Sequence, residues 1–307
     1  MDLRQLRALV AVGEHRSFSA AARALHTVQS NVSTHVSRLE RQMGVTLVDR
    51  ATTALTEEGQ IVAERARRIE AEFAALESDV ASLRDEVRGT VRLGVIGTTA
   101  RWLVPLFLEA LHERHPAINV VVLDATTSSL LPQLVSGAID LAVVNLPSSD
   151  PDIALDALFD EDLLLVAPKG HPLYERDEVS FGELASHDLL LPAKGTAFRD
   201  DLDADALRSG VSLRGKAEFD GMRLLASLAF AGFGAAVLPA SAAPASVGGD
   251  WTRTLLPEVS GRSVGLARRR RGLPSAAGRA VADVLRQVVV DSAPGQPGIH
   301  AVVPDSF

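Results

Sequence analysis

Between Gly59 and Gly89 the chain carries neither glycine nor proline, and its apolar residues keep a fixed rhythm there. Val62, Ala66, Ile69, Phe73, Leu76, Val80, Leu83 and Val87 are separated alternately by four and three positions. A mean period of about 3.5 is that of a helix whose apolar seam faces another helix, and at 1.5 Å per residue this one would run roughly 38 Å. Thr56 supplies an N-cap, and the acids after it suit the positive end of a helix dipole. No other stretch nearby offers a matching long helix. The seam therefore predicts a linker helix over residues 59–88 that joins two copies of the chain, with these eight residues at the interface.

The linker separates parts of opposite charge. The whole chain is acidic, with 31 Lys and Arg against 39 Asp and Glu over 307 residues, which by itself argues against a polyanionic partner. Residues 1–56 nevertheless hold seven Arg and four acids, whereas residues 89–307 hold 19 basic and 26 acidic groups. A basic head on an acidic body is what is expected if only the head meets nucleic acid.

Within the head, Leu3, Leu6 and Val10 recur at helical spacing, and Phe18, Ala21, Ala22 and Leu25 form a second apolar stripe behind Ser17 or Ser19 as a cap. His26-Thr27 breaks the pattern. A third helix from about Val28 to Met43 buries Val32, Val36, Leu39 and Met43 and stops at Gly44. Two helices joined by a tight turn make a helix-turn-helix. Off the apolar stripe of the third helix lie Gln29, Ser30, Ser33, Thr34, Ser37, Arg38 and Arg41. Amide and hydroxyl groups at such an N-terminal turn can reach base edges in the major groove, while backbone N–H groups and arginines hold phosphates. Residues 45–48 and 54–56 read as two short strands of a wing with Arg50 as its one cation, and Ser19 and Thr52 complete the set of expected DNA contacts. The competing reading of the helix face is a solvated surface.

Residues 89–290 alternate strands and helices in the β-α-β-α-β manner of a parallel sheet, with a second lobe expected over about 163–266. The tail, residues 291–307, is rich in Pro, Gly and Ser and reads as flexible. The uncharged run from Leu224 to Gly249 has the length of a membrane span, but Gly232, Gly234, Pro239 and Pro244 break it into a short helix, a turn and a buried strand. The N-terminus lacks the apolar core of an export signal, and there is no cysteine, so a cytoplasmic protein without membrane contact is expected. The missing cysteines also exclude disulfides, thiolate metal sites and thiol redox sensing within the chain.

An enzyme is the first rival reading. His112 and His115 lack a third ligand in sequence, Gly232-Phe233-Gly234 follows a helix and precedes a strand, the reverse of a dinucleotide fingerprint, and no Gly-x-Ser-x-Gly elbow occurs. Neither catalysis nor a metal or cofactor is expected. The Arg268–Arg271 run reads as a solvated loop rather than a second nucleic-acid patch.

Taken together the residues resemble the LysR-type transcriptional regulators. The matching runs are Phe18 to His26, Gln29, Ser33, Leu39-Glu40, Met43-Gly44-Val45 and Leu55 to Gly59 in the head. In the body they are Leu134 to Val144, Val166-Ala167-Pro168, His171-Pro172-Leu173 and Gly232 to Pro239. The resemblance covers residues 1 to about 290. It implies an all-α winged helix-turn-helix domain at residues 1–58, a dimerising linker helix, and an α/β effector domain of two lobes like the type 2 periplasmic binding proteins. It also implies a homodimer or homotetramer on double-stranded promoter DNA, with RNA polymerase as a further partner. A small-molecule effector, an anion among the candidates, would sit between the lobes and change how the heads meet DNA. The chain departs from the family in Val28-Gln29-Ser30, where Ser-Gln-Pro is common, in Thr34, often basic, and in its arginine-poor wing, so an altered operator preference and weaker wing contacts are expected.

Helix N-termini and strand ends at such a cleft present free N–H groups to a ligand. By position the effector candidates are Thr98, Thr99, Thr126, Thr127, Ser128, Asn145, Gly195, Thr196, Phe198 and Asp220, most of them hydroxyl-bearing. Lys194, Arg101 and Arg199 could neutralise a carboxylate, although solvated charges are the simpler reading. The alternative function is a dimeric small-molecule-binding protein whose DNA specificity is weak or lost.

Overall fold

Helix caps fix the head. A computed structural model describes residues 1–83, 87–246 and 248–302 of the protein. In α1 (Leu3–His15) the Asp2 carboxylate accepts from the Gln5 N–H at 2.9 Å and the Gln5 side chain accepts from the Asp2 N–H at 3.1 Å, a reciprocal capping box. Ser17, not Ser19, caps α2 (Phe18–Ala24). The chain reverses through His26 at φ 51, enters α3 (Gln29–Met43), and leaves it through Gly44 at φ 72. Leu9, Val12, Ala21, Val32, Val36 and Leu39 close the core between these helices. Met43, expected inside, is 45% exposed because it is the last residue of the helix, beyond the part of α3 that packs on the head core. The two wing strands reduce to one antiparallel bridge, Val48 with Leu55. Glu40 braces that loop instead, accepting from the N–H groups of Leu47 and Val48 at 3.0 and 3.2 Å.

The linker is α4 (Glu57–Ser82), capped by Thr56 as its sequence indicates. It ends before the expected 88, and residues 84–86 lie outside the described residues. Its two ends are bolted to different bodies. Ala63 and Ala66 are buried in the head core, with Val62 packed beside them. At the other end Asp79 accepts from the Ala276 N–H at 2.8 Å and Ser78 from the Ala277 N–H at 3.2 Å, so two α4 side chains satisfy the first turn of the final helix.

The first lobe comprises β1 (Gly89–Ile96), α5 (Gly97–Arg114), β2 (Ile118–Ala125), α6 (Thr127–Ser136), β3 (Leu141–Asn145) and β4 (Ile153–Glu161). The chain then crosses to β5 (Leu163–Pro168), α7 (Phe181–Ala185), β6 (Asp188–Pro192), α8 (Ala197–Arg208), β7 (Arg214–Phe219), α9 (Met222–Phe230), β8 (Ala236–Pro239) and β9 (Trp251–Leu255). It returns through β10 (Arg262–Arg269), α10 (Ala276–Ser292) and β11 (Ile299–Ala301). The sheets order as β11-β4-β10-β3-β1-β2 and β7-β6-β8-β5-β9. Because β10 pairs with β3 and β4 in the first sheet, the second lobe ends before Arg262 rather than near 266. β3 and β5 are buried almost throughout, which explains why both read as unbroken apolar runs. Each such Val or Leu contributes about 1.5–3 kcal/mol of burial.

The tail is not a loose end. α10 continues to Ser292, a 3-10 turn spans Ala293–Gly295, and β11 pairs antiparallel with β4. Pro294, Gly295, Pro297 and Gly298 serve turns in an ordered path, a use that composition cannot distinguish from flexibility. Residues 303–307 lie outside the described residues. The Leu224–Gly249 run folds as the helix, turn and buried strand its sequence suggests, and no described helix is long and apolar enough to cross a membrane.

Candidate functional sites: the head surface and the lobe junction

The outer face of α3 is built from groups the head does not need for itself. Val28 occupies the N-cap and offers no side-chain hydrogen bond; the Asn31 N–H donates to the Val28 carbonyl at 3.1 Å, which leaves the N–H groups of Gln29 and Ser30 for a partner. Gln29, Ser30 and Arg38 are exposed and Ser33 half-buried on this face. Ser19 donates to the Gln29 side-chain oxygen at 2.9 Å, which joins α2 to α3 and leaves the Gln29 amide N–H groups to donate outward. Thr34 donates back to the Ser30 carbonyl at 2.8 Å.

The wing candidates behave differently. Arg50 pairs with Glu40 at 2.8 Å, reaches the Ser37 hydroxyl at 3.3 Å, and stacks 4.9 Å from the Phe18 ring centroid. Thr52 donates to Asp49 at 2.9 Å. The Ala51 N–H and the Thr52 hydroxyl hold the Asp49 carboxyl below the usual carboxylate range, keeping a negative charge on the wing tip. Of the residues expected at DNA, Arg50 thus ties the loop to Ser37 and Glu40 on α3, and Thr52 bonds within the loop. Glu40, three residues before the end of α3, is the side chain that holds this arrangement together.

The expected seam divides into three, and its last member, Val87, lies beyond the end of α4. Ala66 and Val62 belong to the head, and Val87 packs on the first-lobe core. Phe73, Leu76, Val80 and Leu83 are 49%, 60%, 51% and 85% exposed, with Ile69 also open. A row of large apolar side chains left in water on one helix is an unsatisfied packing surface.

At the junction of the lobes the polar groups turn inward. Glu161, 1% exposed at the end of β4, pairs with Arg262 at 2.7 Å and accepts from the Ser241 N–H at 2.8 Å. Arg262 also donates to the Thr98 hydroxyl at 2.7 Å, so this effector candidate is a brace between α5 and β10. Thr99, Asn145 and Ser241 each bury a side-chain oxygen that makes no hydrogen bond within the protein. Thr127 accepts from the Asn145 N–H at 3.1 Å, and Thr126 bonds to Ser128 and Ser129 at 3.0 and 3.1 Å. These candidates gather at the C-terminal ends of β1, β2 and β3. Gly195 and Thr196 form the loop between β6 and α8, Phe198 packs on the second-lobe core, and Asp220 follows β7.

Arg199 is no solvated charge. It is 3% exposed and bonds Asp203 at 2.8 Å, Glu218 at 3.1 Å and the Pro192 carbonyl at 2.9 Å. Burial works against its charge, but the two carboxylates outweigh that and raise its pKa, while Arg199 holds the Glu218 carboxyl low. An open groove of about 610 Å³ between α5 and α9 is lined by Arg101, Asp124 and Arg223, and none of the ten effector candidates lines it. Asp124 and Arg223 pair across the lobes, and Arg101 stacks 4.8 Å from the Phe230 ring centroid. Two members of the arginine run are spent on structure: Arg269 bonds the Leu134 and Ile139 carbonyls and Arg270 those of Pro151 and Ile153, while Arg271 is exposed.

A helix-turn-helix head, a connecting helix and a two-lobed α/β body define a one-component DNA-binding regulator with a ligand-binding domain. Residues 3–60 match the bacterial regulatory helix-turn-helix protein model of the lysR family, and residues 84–290 match the LysR substrate binding domain. A probable hydrogen peroxide-inducible genes activator of Streptomyces viridosporus is 34% identical, over 94% of this chain and 95% of its own. A cysteine variant of full-length OxyR from Pseudomonas aeruginosa shares the fold with a TM-score of 0.71 at 23% identity, covering 94% of each chain. CbnR in complex with its target DNA does so with a TM-score of 0.66 at 24% identity, over 94% of this chain and all of the other. The chain belongs to the LysR family of DNA-binding transcriptional regulators and carries that family's effector-binding domain.

Proposed function

We propose that the protein binds a promoter as a homodimer or a tetramer built from such dimers, reading DNA through α3 and responding to a small molecule by a route that uses no thiol. The observation that carries this is the outward face of α3, where an uncapped N-terminus, the Gln29 amide, Ser30, Ser33 and Arg38 stand free of the core. Ser19 acts by holding Gln29, and Arg50 and Thr52 by holding the wing. The dimer seam is Ile69, Phe73, Leu76, Val80 and Leu83.

The Streptomyces relative is named for hydrogen peroxide. A chain without cysteine cannot register peroxide through a sulfenate or disulfide, and the signal proposed instead is a ligand held without a covalent bond. Thr99, Asn145 and Ser241 offer that ligand buried oxygens, and Arg101 meets an anion at the neighbouring groove. The regulator works in the cytoplasm with RNA polymerase as its downstream partner, and performs no catalysis.

Titration with the upstream promoter fragment and with random DNA at two salt concentrations tests this reading. Saturable, salt-weakened preference for the promoter is expected, falling about tenfold or more with Gln29→Ala or Ser33→Ala, as the loss of a base contact would give. Equal affinity for both DNAs would favour the small-molecule binder without specificity.

A further inference from the structure

The C-terminal segment reaches both sides of the lobe junction. Gln296, 4% exposed, donates to the carbonyls of Ala240 and Ala243 at 3.1 and 3.3 Å and accepts from the Ala245 N–H at 2.8 Å. Those residues carry the chain away from β8 in the second lobe. Three residues later β11 runs along β4 of the first lobe, with Ile299 opposite Glu161 and Ala301 opposite Phe159.

Between these attachments the segment grips the crossing itself. The Asp162 N–H donates to the Gly298 carbonyl at 2.8 Å, and the Asp162 side chain lies 3.0 Å from His300. The Ala240 N–H in turn donates to the Asp162 carbonyl at 3.0 Å. Gly298 sits at φ +77, and an added Cβ there would stand 3.0 Å from the Ala240 Cβ, so both backbone conformation and space call for glycine. Glu161, beside this contact, ties Ser241 to Arg262 from within.

Two-lobed domains change shape by rotation at the few residues that cross between lobes. A segment bonded to the crossing at Asp162 and to Ala240, Ala243 and Ala245 beyond it limits that rotation. We propose that residues 293–302 are a strap that sets the resting angle and stiffness between the lobes, with Gln296 as its positioning residue. The effector would then act against a joint whose compliance is fixed by the C-terminal segment. The inference rests on the reading that the lobes move with ligand, but its test uses neither effector nor DNA, so failure of one leaves the other standing.

The lack of native cysteine allows clean labelling of the full chain. Spin labels on Glu113→Cys in α5 and Ser209→Cys after α8, both exposed, report the inter-lobe distance, and hydrogen exchange reports the Asp162 and Ala240 amides. Gln296→Ala is expected to widen the distance distribution about twofold and speed both amides about tenfold. Gln296→Glu, which keeps the acceptor for Ala245 but loses the donors to Ala240 and Ala243, should move both in the same direction and serves if the alanine variant does not fold. Leu134→Ala, a core deletion in the first lobe, should lower stability with neither effect. Unchanged distances in both Gln296 variants, faster exchange without widening, or the same widening in Leu134→Ala would each overturn the strap.

Discussion

The head and the lobe junction both concentrate polar side chains and differ in which way those groups face. On α3 the amide and hydroxyl groups and Arg38 face water while Val32, Val36 and Leu39 carry the packing. At the junction Glu161, Arg262 and Thr98 face one another, and inside the second lobe Arg199 is likewise enclosed by Asp203, Glu218 and a carbonyl. A surface whose polar groups keep donors turned to water, as the Gln29 amide and Arg38 do, is suited to a partner of fixed chemistry such as a base edge or a phosphate. A junction whose charges are already paired is suited to hold a geometry, because removing either charge leaves the other buried without compensation.

The largest expected effect lies at the junction. Glu161→Ala strands Arg262 and should cost about 3–5 kcal/mol. Denaturant unfolding of the full chain would read it in the body transition, while the folded fraction keeps its promoter affinity. Leu39→Ala, at the fully buried centre of the head, should cost about 2–5 kcal/mol. Its signature is the reverse: DNA binding lost, body transition retained. If both variants lowered both properties equally, the two regions would form one cooperative unit.

Much of the head was legible because its signals are local. Ser17, Gly44 and Thr56 act within a turn of where they stand, and the apolar stripes of α1 to α3 face the core they indicate. The wing shows where sequence stops: that Arg50 pairs with Glu40, ten residues earlier, is a contact no local pattern reports. The junction was legible in place but not in partnership. Thr98 and Arg262 are 164 residues apart, and no periodicity reports so distant a bond. The tail failed for the same reason, since β11 gains its order from β4, far upstream. The α4 seam was right in spacing, yet a heptad pattern cannot say which of its members a neighbouring domain will claim, and the head claims Ala66.

The linker sharpens the contrast, since its exposed stretch belongs to neither region. Leu76→Arg places a charge in the open seam and should halve the mass seen by light scattering with thermal stability of the monomer little changed. An unchanged dimer would move the interface elsewhere. The smallest effect is expected at the cap of the same helix: Thr56→Ala removes the acceptor for the Gly59 N–H and should lower stability by about 1 kcal/mol, measured by thermal unfolding.

The central claim is that DNA meets the head and not the body. Its most direct test is the slope of log affinity against log salt for the promoter fragment, compared between the parent chain, Arg38→Ala and Arg271→Ala. Both arginines are exposed, one on α3 and one on the body. Loss of a phosphate contact should flatten the slope by about 0.9, so a flatter slope for Arg38→Ala with the parent slope kept by Arg271→Ala is expected. A parent slope for Arg38→Ala together with a flattened one for Arg271→Ala would contradict the account.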